Sequence, residues 1–332
     1  MTIRWGLLST ARINRAILRA AAESLEAEIV AVASRDQARA EAYAREHGID
    51  RAYGSYDALL EAKDVDAVYV PLPNALHVEW TLRALDAGKH VLCEKPFSRR
   101  PDEVERAFDR ADSAGLILSE GVMWRHHPQT QTLTELVAAG AIGRVRVVRA
   151  AFSFQLAAVH GADDARFDPK LDGGALMDVG SYCVSALRLL GGEPARVRGE
   201  QTLGPSGVDV VFAGALELSD GVVGHFDCGF VLPRRAELEV VGESGGFFVG
   251  DAFTIQSPGI ELRREGAEAE SIAIEPANSY RLELENIGAA IRGEAPLLLG
   301  RDDAIGQART IDALYRSAGA AEPAPASDWS SS

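Results

Sequence analysis

Lys95 is the first candidate for catalysis, because it follows a short apolar run with the composition of a buried strand. Val91-Leu92-Cys93 leads directly into Glu94-Lys95-Pro96, and open α/β sheets bind ligands at the carboxyl ends of their strands. Removing an ammonium group from water costs several kcal/mol unless it is paired, so a lysine in this place is expected to have a functional role. The alternative is a surface turn, because a proline disfavours helix at the residue before it and often ends a strand.

Asp178 and Tyr182 form a second candidate pair far along the chain, after Gly173-Gly174. A spacing of four residues puts both side chains on one face of a helix. A tyrosine hydroxyl can pass a proton to or from a carbonyl or alcohol oxygen, and a nearby lysine cation stabilises the phenolate. Asp178 could orient the substrate or that lysine. The alternative makes Tyr182 a core aromatic residue and Asp178 a first-turn carboxylate favoured by the helix dipole.

Polar residues also follow the neighbouring apolar run at 67–70. Pro71, Leu72 and Asn74 come directly after it, and His77 lies early in the next predicted helix. The prolines stiffen this loop, while Asn74 and His77 offer polar groups near a helix N-terminus. A capped helix alone would explain them. Together with Glu94-Lys95-Pro96, they predict a crevice at the carboxyl edge of a sheet.

The first apolar run ends in Ser9-Thr10-Ala11-Arg12-Ile13-Asn14, where a dinucleotide-binding turn normally has G-x-G-x-x-G. Small or polar residues occupy all three glycine places. The turn still admits a pyrophosphate at the helix N-terminus if Ser9 and Ala11 avoid positive φ, and the hydroxyls of Ser9 and Thr10 could add donors. The alternative is an ordinary strand-to-helix turn with a Ser or Thr N-cap.

The second apolar run ends at Ser34-Arg35-Asp36, with Arg39 one helical turn later. In an NAD enzyme an acidic residue at this place binds the ribose hydroxyls. A serine and two arginines suit a 2′-phosphate better, because guanidinium groups bind phosphate through charge-assisted hydrogen bonds. We therefore predict NADP as the cofactor, with NAD as the alternative. In that alternative Arg35 and Arg39 line a solvated face and Asp36 binds the ribose.

The elements that must position these residues form two patterns. In the first part of the chain, apolar runs at 3–8, 28–33, 67–70, 90–93 and 116–119 alternate with amphipathic segments at 13–23, 36–47, 55–61, 76–87 and 101–114. This alternation predicts an α/β fold with a doubly wound parallel sheet of the Rossmann type.

The later part of the chain predicts an α+β domain with a large, open, mostly antiparallel sheet. Predicted helices at 129–139, 174–190, 280–292 and 302–318 accompany predicted strands at 144–154, 197–201, 208–218, 222–230, 237–241 and 247–249. We predict residues 1–121 as a dinucleotide-binding domain and 122–300 as a substrate-binding and oligomerisation domain. Residues 301–319 would form a C-terminal helix that could pack back on the first domain, followed by a disordered or loosely held tail at 320–332.

Composition excludes several classes of protein. The net charge of −15 argues against nucleic-acid binding, which needs a basic face, and no apolar run is long enough to cross a membrane. Three scattered cysteines, Cys93, Cys183 and Cys228, suggest buried thiols and neither a disulfide framework nor a metal site. The first predicted strand begins almost at Met1 and leaves no room for a signal peptide, so we expect a cytoplasmic protein.

Three motifs together resemble the glucose–fructose oxidoreductase/inositol dehydrogenase/MocA family. They are Glu94-Lys95-Pro96, Trp124-Arg125-His126-His127-Pro128 and Gly173-Gly174-Ala-Leu-Met-Asp178-Val-Gly-Ser-Tyr182. The chain is most similar to the branch with dimeric dihydrodiol dehydrogenase and NADP-linked sugar dehydrogenases, from Ile3 to about Ala318. The turn at Ser9 departs from the commoner Gly-x-Gly of the family, which leaves the pyrophosphate contacts open.

The resemblance implies a catalytic pair of Lys95 and Tyr182, a cis Lys95–Pro96 peptide, and a homodimer or homotetramer formed through the C-terminal sheet. It places Glu94 near the nicotinamide ribose and Trp124 and Arg125 beside the nicotinamide. The residues expected to contact the cofactor are Ser9, Thr10, Ala11, Arg12, Ile13, Ser34, Arg35, Arg39, Pro71, Leu72, Asn74, His77, Glu94, Lys95, Trp124 and Arg125. Those expected to contact the substrate are Lys95, Trp124, Phe154, Asp178 and Tyr182.

The predicted reaction is reversible hydride transfer between NADP and a hydroxyl or carbonyl carbon of a sugar or cyclic polyol. An aromatic wall from Phe154 and Trp124 suits such a ring. His160 could contact the substrate or be a solvated loop residue. A trans-dihydrodiol dehydrogenase or dicarbonyl reductase is the alternative within the same chemistry. A nucleotide-binding regulator without turnover is the alternative from another class, although it would not need a proton-transfer pair.

Overall fold

The first apolar runs form a six-stranded parallel sheet in the computed structural model, which describes residues 1–319. Its strands are β1 (Ile3–Leu8), β2 (Ala27–Ala33), β3 (Arg51–Tyr53), β4 (Ala67–Val70), β5 (His90–Glu94) and β6 (Leu118–Gly121). The strand order is β3-β2-β1-β4-β5-β6, so the chain winds outward in both directions from β1. The predicted doubly wound sheet is confirmed, and its carboxyl edge next to β1 is the expected place for a ligand.

Helices connect these strands as the amphipathic pattern predicts. They are α1 (Asn14–Ala22), α2 (Gln37–His47), α3 (Tyr56–Leu60), α4 (His77–Asp86) and α5 (Pro101–Ala114). Ser55 caps α3 through a hydrogen bond from Ala58 N, and Gly48 and Gly115 end α2 and α5 in the left-handed conformation. Leu116 N still bonds to Ala111 O, which is why β6 begins two residues later than predicted.

An eight-stranded, mostly antiparallel sheet forms in the later part of the chain. Its strands are β7 (Val145–Gln155), β8 (Arg196–Leu203), β9 (Asp209–Glu217), β10 (Val223–Gly229), β11 (Val231–Gly242), β12 (Gly246–Val249), β13 (Ile260–Arg263) and β14 (Glu270–Ile272). The order is β14-β13-β12-β11-β7-β10-β9-β8, and β7 and β10 are parallel. The remaining helices are α6 (Pro128–Ala138), α7 (Leu156–His160), α8 (Ser181–Gly191), α9 (Ser279–Ile291) and α10 (Arg301–Ser317). A π-helical turn, Leu176–Gly180, precedes α8.

The prediction missed three short strands, β3, β13 and β14, and began β11 too late. Each of the three has only three or four residues, too few for alternation to stand out from a loop. The first part of β11 contains Pro233, which cannot donate to a ladder. The register shifts between Val231 and Arg235, so an irregularity in the pairing accommodates this proline.

The chain divides into two units that differ from the predicted domains. The first comprises Met1–His126 and Asn278–Ile305, and the second comprises His127–Ala277 and the chain from Gly306 onward. The assignment of 278–300 to the second domain is therefore wrong. The reason is that Leu284 and Ile287 of α9 are buried in the same core as β1 and α1.

The C-terminal helix α10 is divided between the units, because its residues 301–305 belong to the first unit, on which we predicted that it could pack, and the chain from Gly306 onward belongs to the second. The hydroxyl of Tyr315 donates to Asp209 at 2.8 Å, and Gly199 N donates to Ser317 Oγ at 3.2 Å. These bonds join α10 to the strands β9 and β8. Among residues 1–319, every helix is too short or too polar to span a bilayer. The predicted tail, 320–332, lies outside the described residues.

Candidate active site

The turn after β1 carries a backbone conformation that glycine normally supplies. Ser9 has a φ of +143°, so it does not meet the condition that it avoid positive φ, whereas Ala11 does. Ser9 Oγ accepts from Ala11 N at 3.2 Å, and Ser9 O accepts from Asn14 Nδ2 at 2.7 Å. These two bonds hold the strained residue in place.

The N-terminus of α1 has the properties of an anion site. Ile13 is its N-cap residue, no side chain caps it, and its first turn has no acidic residue. The alternative of a Ser or Thr N-cap is therefore not what the structure contains. Backbone N–H groups and the positive end of the helix dipole favour a phosphate at such a terminus. The residues present fit the pyrophosphate of a dinucleotide.

The end of β2 presents two exposed arginines. Neither the Arg35 nor the Arg39 guanidinium forms an ion pair within residues 1–319. Both lie close enough to Tyr56 for their charges to offset part of the rise in the pKa of Tyr56 that burial causes. Asp36 caps α2, its carboxylate accepting from Arg39 N at 2.7 Å, while Ser34 is 6% exposed. The carboxylate of Asp36 thus caps α2, and the guanidinium groups of the two arginines can bind an anion.

His77 links the loops that follow β4 and β5. Its Nδ1 lies 2.9 Å from Pro96 O and its Nε2 lies 2.7 Å from Leu72 O. Burial, aided by the charge of Lys95, lowers the pKa of His77 to about 4, although hydrogen bonds to the carbonyls oppose this. A neutral imidazole has one N–H, so it donates to one of the two carbonyls. Asn74 begins the short 3-10 turn that precedes His77.

Lys95 stands at the end of β5, as predicted, and the Lys95–Pro96 peptide bond is cis. Lys95 N donates to Glu94 Oε2 at 3.2 Å, and the other carboxyl oxygen of Glu94 accepts from the hydroxyl of Tyr69. Burial and the charge of Glu94 raise the pKa of Tyr69 well above its ordinary value. Tyr69, on β4, therefore orients Glu94 as a neutral donor.

Two buried carboxyl groups near this loop were missed by sequence reasoning. Glu120 is 3% exposed and accepts from Phe97 N at 2.8 Å, which fixes the residue after the cis proline. Glu283 is 1% exposed on α9, and burial and the charge of Glu94 raise its pKa well above the ordinary value. The burial of Glu120 could have been predicted, because this acidic residue lies inside an apolar run of the sequence. No feature of the sequence indicated that Glu283 is buried.

Trp124 and Arg125 lie in the 3-10 turn Met123–His126. Trp124 is 1% exposed, and the Arg125 guanidinium donates to Asp303 at 3.4 Å. His126 Nε2 is 4.0 Å from Glu283 Oε1, an ion-pair distance. Burial lowers the pKa of His126 to about 4 and raises the pKa of Glu283, so burial favours the neutral form of both side chains.

In the second unit, Asp178 and Tyr182 lie on successive turns of one helical segment, as predicted. Asp178 is in the π-helical turn and Tyr182 in the first turn of α8. Asp209, 2% exposed, accepts from Leu176 N at 2.7 Å and so holds the start of the segment. The ring of Tyr182 packs edge-on against Phe152 with 5.2 Å between centroids and at a tilt against Phe253 with 5.7 Å between centroids. Packing against these two rings fixes the position of the Tyr182 ring and so of its hydroxyl.

Phe154 is the last residue but one of β7, and it lies beside an arginine that sequence reasoning missed. The Arg166 guanidinium lies 5.9 Å from the Phe154 ring centroid, and the ring of His160 meets Phe154 edge-on at 6.2 Å. His160 ends the short helix α7 and is half-buried, so the solvated-loop alternative does not describe it. Arg166 also donates to Asp178 Oδ2 at 3.0 Å. The only sequence signal for Arg166 was a basic residue in an acidic loop.

The candidate residues thus form two groups, one in each unit. The predicted cofactor residues, Lys95 among them, belong to the first unit, whereas Phe154, Asp178 and Tyr182 belong to the second. Cys93, Cys183 and Cys228 are buried free thiols, as predicted. Across residues 1–319, no group of His, Cys, Asp or Glu side chains could hold a metal ion.

Two family models match the chain in sequence. Residues 3–122 match the oxidoreductase family with an NAD-binding Rossmann fold, and residues 130–248 match the GFO/IDH/MocA C-terminal domain. D-xylose 1-dehydrogenase (NADP(+)) 2 of Haloferax volcanii is 42% identical over 95% of this chain and 97% of its own length. Trans-1,2-dihydrobenzene-1,2-diol dehydrogenase of Bos taurus is 35% identical over 74% of this chain and 73% of its own.

A solved structure has the same fold throughout. The 3-ketoreductase KijD10 from Actinomadura kijaniata, in complex with NADP and TDP-benzene, superposes with a TM-score of 0.88 and 31% identity, covering 96% of this chain and 98% of that chain. The chain belongs to the GFO/IDH/MocA family of oxidoreductases, with an NAD-binding Rossmann fold and the C-terminal domain of that family.

Proposed function

We propose that the protein is an NADP-dependent dehydrogenase that transfers a hydride between the nicotinamide and a hydroxyl or carbonyl carbon of a sugar. The observation that carries this proposal is the pair of Asp178 and Tyr182 on successive turns of one helical segment, in a family whose first domain binds NAD. Lys95, at the carboxyl end of β5, is the cation that this proposal requires to stabilise the phenolate of Tyr182.

Each residue has a defined role in this proposal. Bound NADP would supply or accept the hydride. Tyr182 donates a proton to the substrate oxygen in reduction and accepts it in oxidation, Lys95 stabilises the phenolate, and Asp178 orients a substrate hydroxyl. His77 and Glu120 support Lys95 through the loop at Pro96 and Phe97. In KijD10, solved variants exchange a lysine for alanine and a tyrosine for phenylalanine, the same two residue types.

The proposed cofactor preference rests on Arg35 and Arg39. We expect replacement of both by Ala to raise the KM for NADP by about 10- to 100-fold, the loss of two charge-assisted hydrogen bonds, while the KM for NAD changes little. Arg45, an exposed arginine of the same helix, is the matched control, and Arg45→Ala should leave both constants unchanged. Equal changes for the two cofactors would remove the proposed preference.

The proposed substrate is a sugar and not a dihydrodiol, because similarity to the xylose dehydrogenase extends over 95% of this chain and similarity to the dihydrodiol dehydrogenase over 74%. The test follows absorbance of the reduced nicotinamide with D-xylose, D-glucose, inositols, a trans-dihydrodiol and, in reverse, diketones. Turnover of an aldose above the others supports the proposal. Turnover of the dihydrodiol alone would contradict the substrate class, and cofactor binding without turnover of any compound would indicate a regulator.

The C-terminal sheet is the proposed interface with a second copy of the chain. Phe152 contacts Tyr182 on the face that α8 covers, so the alternate residues of β7 point to the other face. There Val223, Val147 and Val241 lie side by side across three strands, and the next row contains Arg149 and Glu239 in an ion pair at 2.8 Å. Val223 is 51% exposed. Apolar and oppositely charged groups on one face can pair with the same face of another copy.

Light scattering after size exclusion tests this interface. We expect the wild type to run as a dimer or tetramer and Val223→Lys to shift the distribution to monomer. Val159→Lys is the control, because Val159 is also exposed but lies on α7, away from this face. A monomeric wild type would contradict the proposed interface.

A further inference from the structure

Tyr56 lies at the same edge of the first sheet as the two arginines that follow β2. The strands β2 and β3 are parallel neighbours, in which Ala33 pairs with Tyr53, and Ser34 N donates to Tyr53 O at 2.9 Å. Arg35 comes shortly after the end of β2, and Tyr56 comes shortly after the end of β3 as the first residue of α3. Because parallel strands present their carboxyl ends at one edge of the sheet, both residues lie where such a sheet binds ligands.

The ring of Tyr56 is oriented by contacts with α4. It meets the ring of Trp80 edge-on, with 4.8 Å between centroids, and the Arg83 guanidinium carbon lies 4.6 Å from the centroid of Trp80. Arg83 in turn donates to Asp57 at 3.1 Å and pairs with Glu79 at 3.0 Å. An edge-on aromatic contact and a cation over an indole ring both favour particular geometries. These contacts therefore set the position of the Tyr56 hydroxyl.

The hydroxyl of Tyr56 forms no hydrogen bond within residues 1–319, although the residue is only 8% exposed. Burial raises the pKa of Tyr56, and the charges of Arg35 and Arg39 lower it by less. The phenol is therefore a neutral O–H donor near pH 7. A largely buried donor without an acceptor carries a cost in free energy. An anion bound by the two guanidinium groups could accept from this hydroxyl as well.

We propose that the Tyr56 hydroxyl donates a hydrogen bond to the 2′-phosphate of NADP, and that Trp80 is a positioning residue for this tyrosine. This inference rests on the NADP preference in the proposed function and adds Tyr56 to the site of Arg35 and Arg39. A hydrogen bond to an ionised phosphate oxygen is about twice as strong as one between neutral groups. The 2′-hydroxyl of NAD carries no charge, so Tyr56 contributes to the preference for NADP.

Equilibrium binding of adenosine 2′,5′-bisphosphate and adenosine 5′-monophosphate tests the proposal, because these two nucleotides differ only in the 2′-phosphate. Calorimetric titration measures both dissociation constants and needs neither a nicotinamide nor turnover. For Tyr56→Phe, which keeps the ring against Trp80, we expect the dissociation constant of the bisphosphate to rise by about 10-fold, the usual effect of losing one hydrogen bond to a charged group. The dissociation constant of the monophosphate should not change.

Two further variants separate the hydroxyl from its surroundings. Tyr43→Phe is the matched control, because it removes a hydroxyl of α2 that is itself buried, and it should leave both dissociation constants unchanged. Trp80→Leu keeps the Tyr56 hydroxyl but removes the ring that orients it, so it should weaken binding of the bisphosphate alone. Adding Tyr56→Phe to Trp80→Leu should then cause a smaller further loss than in the wild type. An undiminished further loss would contradict the positioning role of Trp80.

The outcomes separate this inference from the proposed function. Unchanged binding of the bisphosphate by Tyr56→Phe, or an equal loss for both nucleotides, would overturn the inference. If Arg35→Ala weakened binding of the bisphosphate alone and Tyr56→Phe did not, the proposed NADP preference would stand and the inference would fail. A loss confined to the bisphosphate in Tyr56→Phe, with no turnover of any sugar by the wild type, would support the inference and contradict the proposed function.

Discussion

Three ionisable side chains of the first unit, His77, His126 and Glu283, are buried and favour their neutral forms, whereas the charged side chains around Asp178 in the second unit are partly exposed and favour their ionised forms. Burial lowers the pKa of His77 and His126 to about 4 and raises the pKa of Glu283. Around Asp178, by contrast, Arg166 and the carboxylates stabilise each other's charged forms. The neutral forms in the first unit are favoured because burial excludes water. The charged forms in the second unit are favoured because each charge has a neighbour of opposite sign.

This difference predicts how well each unit tolerates amino-acid substitution. A neutral group in a closed core resists substitution, because either a cavity or an unpaired charge results. A chain of ion pairs at a partly exposed site can be altered one partner at a time at lower cost. We therefore expect the cofactor side to keep its geometry while the substrate side adapts to different ligands.

The largest effect is expected from the proposed catalytic pair, one residue from each unit. We expect Lys95→Met and Tyr182→Phe each to lower kcat by about 10²- to 10⁴-fold, the usual contribution of a positioned proton donor, with unchanged NADP affinity. Phe keeps the ring that packs on Phe152 and Phe253. Stopped-flow absorbance and fluorescence titration of NADP provide the measurements.

The control for the pair is Lys63→Met, which removes an exposed lysine of the first unit and should leave kcat unchanged. Loss of turnover in the Lys95 variant together with full activity in Tyr182→Phe would place the chemistry in the first unit alone. The division of roles between the two units would then be wrong.

The buried histidines predict a loss of stability in mild acid. An unfolded histidine binds its proton near pH 6.5, whereas His77 and His126 do so at about 4. The free energy of unfolding should therefore fall as pH drops from about 6.5 to 4, by up to about 3 kcal/mol for each histidine. Carboxylates with lowered pKa values, such as Asp66 and Asp164, act only at lower pH.

Urea unfolding between pH 7.5 and 4.5 measures this loss. We expect His126→Phe, which keeps a ring but cannot titrate, to show a shallower fall than the wild type over the same range. Identical slopes for the two proteins would mean that His126 becomes protonated in the folded state near its ordinary pKa, contrary to the comparison between the units.

Glu283 should have the opposite dependence on pH. Its pKa in the folded protein is raised, so stability is complete below about pH 4.3, the value for an unfolded glutamate, and is lost as pH rises toward the folded pKa. Glu283→Gln keeps the shape and cannot ionise, so its melting temperature should exceed that of the wild type at pH 7.5 and converge with it near pH 4.5. A lower melting temperature at pH 7.5 would indicate that the carboxylate is ionised and paired.

The smallest effect is expected at the strained turn after β1. Ser9→Gly should change the free energy of unfolding by less than about 1 kcal/mol, because relief of the strain at φ +143° is offset by the greater backbone freedom of glycine and the lost hydroxyl. Ser9→Ala also loses the hydroxyl but keeps the Cβ atom. It should therefore be less stable than Ser9→Gly by thermal melting, and the reverse order would show that the turn is unstrained.

Much of the fold and of the candidate site could be predicted from the sequence, because the signals are local. Lys95 at the end of β5 and Asp178 four residues before Tyr182 follow from apolar runs and helical spacing, which act over a few residues. Ser9 was harder, because its side chain gives no sign of a positive φ. Glu283 was beyond prediction, since its approach to His126 joins positions far apart in the chain.

The amino-acid sequence by itself determined the alternation of strands and helices in the first part, the open antiparallel sheet of the second, and the positions of Lys95, Asp178 and Tyr182 on their elements. Only the tertiary structure decided that α9 joins the first unit, that α10 joins the second from Gly306 onward, and that Arg166 links Asp164 to Asp178. Periodicity and turn chemistry act between near neighbours in sequence. Contacts between distant segments depend on which apolar faces and charges are buried together when the whole chain packs.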